Sequence, residues 1–504
     1  MPSSADSKDT DSNSLDRSAL TGVAWAGAAK YSTQIISWVS TIFVARILMP
    51  SDYGIMVMAS VFLGIVMTLS EFGVGSAVVT LRELAPEKLQ QLNSLSLLLG
   101  LAGTLFTAIM AYPLGLFFRA PELPPVVMAV GCTFLIYSLE TVPAALLRRE
   151  LKFRTLAIID IARGLIVPAV TLCGALLGIR YWALVLGSLV AAGLTTACTL
   201  YCRRVPFARP RFDGLKEVVN FSRDVIISRL AYVVYQDGDF AVAARRLGQA
   251  AVGHYSLAWT LATSPIEKVT MLLSDVTPSL FSAVQNDRPA LRRYFLNLSE
   301  ILCLATFPAS VGIALVGHDL VAVVLGSKWL DAATPLALLA LYAGARSVTS
   351  LYGHLYIAAR ETQFMMWSSI AGAVLLLTGF IIGSNWGTGG IAAAWLVIHP
   401  SLSAYSFTRV RRILDLTAAE YLKALRLGLD GAVAMALVLL PFQTFVAPSW
   451  SPGVRLAASI LLGAGTYGLT TWALHRGRLR QIIDWLMRVR RGGAAAAAVP
   501  ANQT

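Results

Sequence analysis

The chain has 504 residues, of which 56% are hydrophobic and only 14% are charged, and its mean hydropathy is +0.66. A soluble chain of this length usually carries about 25% charged residues, so these values exclude an ordinary cytosolic or secreted globular protein. They indicate an all-α polytopic membrane protein. The net charge of +13 comes from basic residues in short loops between apolar runs. Because there is no basic domain, we expect no nucleic-acid partner.

Residues 1–18 are rich in Ser and Asp, which predicts a disordered cytoplasmic tail. The apolar runs that follow predict about 14 transmembrane helices, because each helix needs about 20 mostly apolar residues to span the bilayer. The runs lie at 19–47, 53–80, 89–117, 124–147, 153–178, 181–202, 218–244, 252–281, 291–316, 332–358, 363–384, 388–408, 426–447 and 453–474. The loops between them are short, so we expect no large domain outside the membrane.

The C-terminal end differs from these runs. Residues 477–491 combine one apolar helical face with several arginines, which is typical of an amphipathic helix lying on an anionic membrane surface. Residues 492–504 are of low complexity and predict a disordered tail. Most of the 41 Lys and Arg residues fall on one side when the N-terminus is placed in the cytoplasm. This asymmetry predicts that both termini are cytoplasmic, which requires an even number of spans.

An internal repeat relates the two halves of the chain. Ala45–Leu48 at the end of the first run matches Ala244–Leu247 at the end of the seventh, at the same offset that relates Lys30 to Arg229. A duplication predicts two six-helix lobes, related by a pseudo-two-fold axis along the membrane normal. We place the N-terminal lobe at 19–203 and the C-terminal lobe at 218–413. The linker between them is 204–217, and the two additional transmembrane helices lie at 414–476.

Several stretches carry a resemblance to a known family: Ala45–Gly54, Glu71–Gly75, Val142–Arg154, Asp239–Tyr255 and Gly326–Trp329. By their order and spacing, the chain resembles the polysaccharide flippases and exporters. The resemblance is greatest to the colanic-acid-exporter-like group, in the O-antigen and exopolysaccharide branch of the multidrug/oligosaccharidyl-lipid/polysaccharide superfamily. One departure is Ala244, where the family usually has Gly, and this is a change in packing.

The resemblance covers roughly residues 19–415. It implies two lobes around a central cavity, with two extra C-terminal helices. It also implies that the protein flips undecaprenyl-diphosphate-linked oligosaccharide from the cytoplasmic to the outer face of the bacterial inner membrane. The implied partners are a polyprenyl-diphosphate-linked glycan and membrane lipids, with polysaccharide polymerase machinery as a further candidate.

Polar and charged side chains follow one helical face in the first and in the seventh apolar run. They are Lys30, Gln34, Ser37 and Thr41 in the first, and Arg229, Tyr232, Gln236 and Asp239 in the seventh. A charge inside the bilayer is costly unless it faces water or a partner, so the two stripes predict the wall of a polar cavity. Given the resemblance, we expect Lys30 and Arg229 to bind the lipid diphosphate. Alternatively, each cation pairs with a carboxylate or extends to the membrane surface.

Other ionisable residues inside apolar runs are further candidates. Arg163 and Arg346 could also line the cavity, although Asp160 could instead form an intrahelical pair with Arg163. The candidate acids for ion coupling are Glu71, Glu140, Asp237 and Glu267. A buried acid can carry a coupling proton, and a carboxylate can bind sodium, so coupling to either gradient stays open. Glu71 equally fits an acid at the membrane surface.

No motif predicts catalysis. The sequence lacks a phosphate-binding GxxxxGK[ST] loop and a zinc-binding HExxH motif, and its five His residues do not have metal-ligand spacing. We therefore expect no enzymatic activity, no bound cofactor and no metal. The alternatives to a flippase are an ion-coupled multidrug exporter of the same superfamily, a polysaccharide polymerase or ligase, and a membrane scaffold. An exporter of cations should have an acidic cavity, a polymerase needs a sizeable outer loop, and a scaffold needs no aligned polar stripes.

Overall fold

A computed structural model describes residues 36–70, 78, 85–209, 235–274 and 276–490. This part of the chain is helical and contains no β-strand, which confirms the prediction of an all-α protein. The chain divides into two compact units, Met1–Arg229 and Leu230–Thr504. Both predicted tails and residues 210–217 of the predicted linker lie outside the described residues.

Unit 1 contains six described helices. They are α1 (Ile36–Ile47), α2 (Pro50–Ser70), α3 (Pro86–Phe118), α4 (Leu123–Arg149), α5 (Phe153–Leu176) and α6 (Trp182–Cys202). Helices α3 and α4 approach each other closely through glycines. A Cβ atom at Gly131 would lie 2.6 Å from Cγ2 of Thr107, and one at Gly100 would lie 2.4 Å from the Ser138 side chain. The absence of these two Cβ atoms sets the short distance between the helices.

The start of α2 gives a structural role to part of the family-like stretch Ala45–Gly54. Asp52 lies in the first turn of α2 and accepts a hydrogen bond from the N–H of Met49 at 3.0 Å. Its carboxylate also forms a 3.2 Å ion pair with Arg180, in the loop between α5 and α6. An acid at a helix N-terminus satisfies backbone donors that have no partner within the helix. This stretch therefore ties α2 to the loop before α6.

Unit 2 contains the remaining described helices. They are α7 (235–247), α8 (Gln249–Ser274), α9 (Thr277–Ala283), α10 (Arg288–Leu320), α11 (Ala333–Ala358), α12 (Thr362–Gly383), α13 (Gly387–Leu414), α14 (Ala418–Pro441) and α15 (Pro452–Arg490). Helices α10, α11 and α14 share a core in which the ring of Phe295 lies 6.1 Å from Tyr352 and 5.9 Å from Tyr421. Where α14 crosses α10, a Cβ atom at Gly428 would lie 2.5 Å from the carbonyl oxygen of Cys303.

Eight helical stretches of the described residues are long and apolar enough to cross a membrane. One of them, Thr362–Leu414, holds two successive helices, α12 and α13. The prediction of a polytopic membrane protein is therefore confirmed.

Two predicted runs have different boundaries in the structure. The run at 252–281 is divided between α8 and the short helix α9, because Pro278 lies in the first turn of α9, where proline fits a helix start. The run at 426–447 begins earlier, at Ala418, because Thr417 and Glu420 form a reciprocal capping box at the N-terminus of α14.

The C-terminal helix α15 extends through the predicted surface helix. It runs from Pro452 to Arg490, with non-helical backbone angles at His475 (φ −127°, ψ 23°). This break lies close to the predicted border between the last span and the amphipathic helix at 477–491. Two ion pairs fasten α15 to α10. Arg455 binds Asp319, and Arg478 binds both carboxylate oxygens of Glu300 at 2.7–3.0 Å.

The two acids of these pairs are about one bilayer apart. Glu300 and Asp319 lie on the same helix, separated by about 28 Å at 1.5 Å per residue. The hydrocarbon core of a bilayer is about 30 Å thick. Arg478 belongs to the amphipathic surface helix predicted at 477–491, and the structure turns its side chain to Glu300 and to the amide oxygen of Asn297 at 2.7 Å. A carboxylate that is only 9% exposed needs a cation beside it, which is the physical reason for this placement.

Candidate functional site

The structure describes some of the predicted site residues and not others. Lys30, Gln34, Glu71, Arg229 and Tyr232 lie outside the described residues, so their roles stay predictions.

The described part of the first polar stripe consists of Ser37 and Thr41 on α1. Both are half-buried, and the Thr41 hydroxyl donates to the carbonyl oxygen of Ser37 at 2.8 Å. A threonine hydroxyl bonded in this way still has lone pairs with which to accept a hydrogen bond. The two side chains thus remain able to accept a hydrogen bond from a ligand.

Unit 1 brings three polar side chains from successive helices together. Glu140 of α4 is half-buried and accepts a hydrogen bond from the Thr196 hydroxyl of α6 at 3.2 Å. Arg163 of α5 is exposed and interacts electrostatically with Glu140. Among the described residues, no ion pair joins Arg163 to Asp160. The structure therefore associates Arg163 with Glu140, which the sequence analysis considered separately.

Unit 2 encloses Asp239 completely. Its carboxylate accepts hydrogen bonds from the backbone N–H of Phe240 at 2.8 Å, from the Tyr255 hydroxyl at 2.7 Å and from the Trp395 indole at 2.9 Å. The sequence predicts this residue on the wall of a polar cavity. In this structure it lies instead at the junction of α7, α8 and α13, where three hydrogen-bond donors take the place of the water that would solvate an exposed carboxylate.

Tyr255 and Trp395 were missed by the sequence analysis. Both lie in apolar runs. Tyr255 ends the family-like stretch that begins at Asp239, but nothing in the sequence indicates that either residue donates a hydrogen bond to Asp239. The only available signal was their polar atom, because a buried Tyr or Trp usually has a hydrogen-bond partner. Further rings surround the indole of Trp395: Tyr342 at 4.7 Å, Phe380 at 5.0 Å and Trp259 at 5.7 Å. This aromatic cluster fixes the donors around the carboxylate.

The neighbours of Asp239 on α7 have a different environment. Gln236 and Asp237 are half-buried. Within the described part of the chain, the Asp237 carboxylate has no hydrogen-bond or ion-pair partner. An acid in this position can take up a proton or a cation more easily than Asp239, whose three hydrogen bonds would have to break first.

Arg346 and Glu267 form one pair in the structure. Nη1 of Arg346 on α11 lies 3.3 Å from Oε1 of Glu267 on α8, and the side chains are 32% and 54% exposed. A partly exposed ion pair contributes only about 0–1 kcal/mol. An anion carrying more than one charge can therefore compete with Glu267 for the guanidinium group.

An apolar groove of about 500 Å³ adjoins Arg346 along the chain. It lies between α10, α11 and α14. Its walls include Phe307, Val311, Leu341, Gly344, Ala345 and Val433. Ala345 directly precedes Arg346, so the groove and the cation are carried by the same turn of α11. The combination suits a ligand that has an apolar chain next to an anionic group.

Comparison with known proteins identifies the family of the chain. A family model described as "Polysaccharide biosynthesis protein" matches residues 43–334. The chain is 24% identical to the lipopolysaccharide biosynthesis protein WzxC of Escherichia coli, and the match covers 82% of this chain and 85% of that protein. It is also 24% identical to the succinoglycan biosynthesis transport protein ExoT of Rhizobium meliloti, over 94% of this chain and 97% of that protein.

A solved structure shares the fold. The lipid II flippase MurJ in its inward closed conformation superimposes with a TM-score of 0.73 at 15% identity, covering 90% of this chain and 100% of that chain. At this level of identity the likeness concerns the fold alone.

Proposed function

Because the chain belongs to the family of polysaccharide biosynthesis proteins, we propose that it is a flippase for undecaprenyl-diphosphate-linked oligosaccharide repeat units. It moves them across the bacterial inner membrane for the synthesis of a surface polysaccharide such as O-antigen, capsule or exopolysaccharide. The protein is a transporter and not an enzyme, in line with the relatives that are named for transport. It binds a lipid-linked glycan and membrane lipids.

The observation that carries this proposal is the apolar groove whose lining on α11 ends at Ala345, the residue before Arg346. The substrate has a prenyl tail, a diphosphate and a glycan in linear order. The groove is lined almost entirely by apolar atoms and suits the tail. Arg346 follows the groove on α11 and suits the diphosphate, because guanidinium groups bind phosphate oxygens through two parallel hydrogen bonds. Lys30 and Arg229 lie outside the described residues and stay candidates for binding the diphosphate.

The proposed topology has about 14 transmembrane helices and cytoplasmic termini. Helices α10 and α15 support it, because their two ion pairs are about one bilayer apart. Two six-helix lobes would move relative to each other and open the substrate site to each side of the membrane in turn. A ligand or ion can drive such a change only if it binds the two states with different affinity.

Coupling to a proton or sodium gradient is part of the proposal. Asp237 in unit 2 is the acid best suited to it, since it is half-buried and forms no ion pair with a cation among the described residues. Glu140 is the corresponding candidate in unit 1, where Arg163 and Thr196 are its neighbours. Glu71 and Glu267 remain further candidates. The polysaccharide polymerase machinery is the proposed protein partner, because it would receive the flipped units.

The test is mass spectrometry of lipid extracts from a deletion strain, with sidedness assayed on intact cells. Repeat units should accumulate on the cytoplasmic leaflet, and the plasmid-borne gene should clear them. Complete units at the outer face without the gene would contradict the flippase. Unpolymerised units there would favour a polymerase, and an unchanged lipid pool with altered drug tolerance would favour a multidrug exporter.

Arg346→Ala should slow the clearance at least about tenfold, since a hydrogen bond to a charged group contributes about 1.5–3 kcal/mol. Arg346→Lys should retain part of the activity, because it keeps the charge but loses the two parallel donors. Arg412→Ala is the matched control: it removes an exposed arginine at the end of α13. Clearance by Arg346→Ala at the rate of the wild type would exclude Arg346 from diphosphate binding.

A further inference from the structure

A second pocket of unit 2 is polar and lies on the other side of Arg346 along α11. Its volume is about 160 Å³, which is the size of a small group rather than of an oligosaccharide. The pocket is formed by α7, α11, α12 and α13. The residues that matter for its chemistry are Tyr235, Thr349, Ser368, Ser369, His399 and Ser403. We call it the hydroxyl pocket.

The hydroxyl groups of this pocket are arranged mainly as acceptors. Ser368 and Ser369 donate their protons to the carbonyl oxygen of Met365 at 3.0 and 2.8 Å. Thr349 donates to the carbonyl oxygen of Arg346 at 3.0 Å. Because these protons are used within the helices, the oxygen lone pairs remain for donors on a ligand.

His399 adds a group that can act as donor or acceptor. Its side chain is 7% exposed, and Nδ1 lies 3.4 Å from the Ser403 hydroxyl. Nε2 has no hydrogen-bond partner among the described residues. The ring is held in place by an edge-to-face contact with Tyr342, at 5.1 Å between centroids. A polar atom in such a buried position gains a hydrogen bond when a ligand enters the pocket.

The lining selects the chemical class of the ligand. Neither a carboxylate nor a cationic side chain is among the described residues that line the pocket, and Arg346, whose charge acts on His399, stands outside this lining. Several hydroxyl acceptors and an imidazole suit a molecule with many hydroxyl donors. The rings of Tyr235 and Tyr405 provide flat apolar surface for the C–H face of such a molecule. A neutral sugar ring meets all three requirements.

The position of the pocket relates it to the rest of the substrate. Thr349 of the hydroxyl pocket lies about one helical turn after Arg346. Tyr342, whose ring contacts His399, lies about one turn before Arg346. Helix α11 therefore carries the apolar groove, the cation and the hydroxyl pocket in succession. We infer that the hydroxyl pocket binds the neutral sugar ring attached to the diphosphate and thereby selects among lipid-linked glycans. This inference rests on the proposed function, since it takes Arg346 as the diphosphate site.

The test measures sugar binding directly on the full-length protein in lipid nanodiscs. The probes are methyl β-D-glucopyranoside and methyl β-D-galactopyranoside, and their binding is measured by saturation-transfer NMR. A ligand with about a dozen heavy atoms at ~0.3 kcal/mol per atom binds with a Kd on the order of 1 mM. We expect saturable binding of at least one probe in this range.

Two variants assign the binding to this pocket. Ser403→Leu fills it and should weaken binding at least about tenfold, or ~1.4 kcal/mol. Ser401→Leu is the matched control, since Ser401 lies on the same helix but is exposed and is not part of the lining. Ser369→Val removes a hydroxyl with little change in volume and should also weaken binding. It keeps the test informative if Ser403→Leu does not fold.

Three results would overturn the inference: no saturable binding of either probe, equal binding by Ser403→Leu and Ser401→Leu, or a response to NaCl but not to the glycosides. The last result would indicate a cation site. Failure of the proposed function has a different signature. In that case the glycoside would still bind the wild type, while the deletion strain would show no cytoplasmic accumulation of lipid-linked units.

Discussion

Removing one hydrogen bond from Asp239 should destabilise unit 2 measurably. Tyr255→Phe deletes the hydroxyl that donates to Oδ2 at 2.7 Å and changes little else, because both residues are fully buried. A hydrogen bond to a charged group contributes about 1.5–3 kcal/mol, so we expect a loss of that size. Asp239→Asn should cost a similar amount. An amide has only one acceptor oxygen, and its NH2 group would face either the Phe240 N–H or the Tyr255 and Trp395 donors.

The assay is unfolding by titrated SDS in mixed micelles, with far-UV circular dichroism as the readout. The double variant Tyr255→Phe/Asp239→Asn should cost less than the sum of the single variants, because the two residues share one interaction. Trp259→Phe, which alters the aromatic cluster without removing a donor to Asp239, is the control. If Asp239→Asn unfolds like the wild type but no longer clears lipid-linked units, Asp239 acts in transport, and the structural role derived from its three bonds is refuted.

Two further predictions concern the ion pairs. Arg478→Met leaves the Glu300 carboxylate buried without its cation, so it should lower the free energy of unfolding by about 3–5 kcal/mol in the same assay. Adding Glu300→Gln should restore most of this stability. Equal losses for the single and double variants would contradict this reasoning. A hydrogen bond from Lys152 holds the pKa of Glu150 below its usual range, and Arg203 adds to this effect. A lowered folded-state pKa stabilises the fold above the unfolded value of about 4.3. The thermal midpoint of the wild type should therefore exceed that of Glu150→Gln slightly at pH 7. The difference should shrink as the pH falls from about 4.3 through the lowered folded-state pKa of Glu150. A difference that stays constant over this acidic range would show that it does not arise from this charge.

Some candidate residues could be recognised from the sequence, but their partners could not. Arg346 and Glu267 were each identified because a charge inside an apolar run is costly. That they form a pair depends on the packing of α8 against α11. The same holds for Arg478, whose partner Glu300 lies in a helix that is distant along the chain. Asp239 shows the opposite case, since its position in a polar stripe indicated a cavity although its three donors enclose it.

Patterns along the amino-acid chain were enough to assign the class of the protein. Its apolar runs, its charge asymmetry and its ordered family motifs depend on local composition and on spacing along a helix, and both can be read without knowing what the helix contacts. Tertiary structure decided which polar groups are satisfied and which face open space. Only packing reveals that Asp239 is enclosed, that Arg478 is paired, and that α11 carries an apolar groove, a cation and a hydroxyl-lined pocket in succession. The physical reason is that a polar side chain in a membrane takes whichever partner the neighbouring helices bring to it.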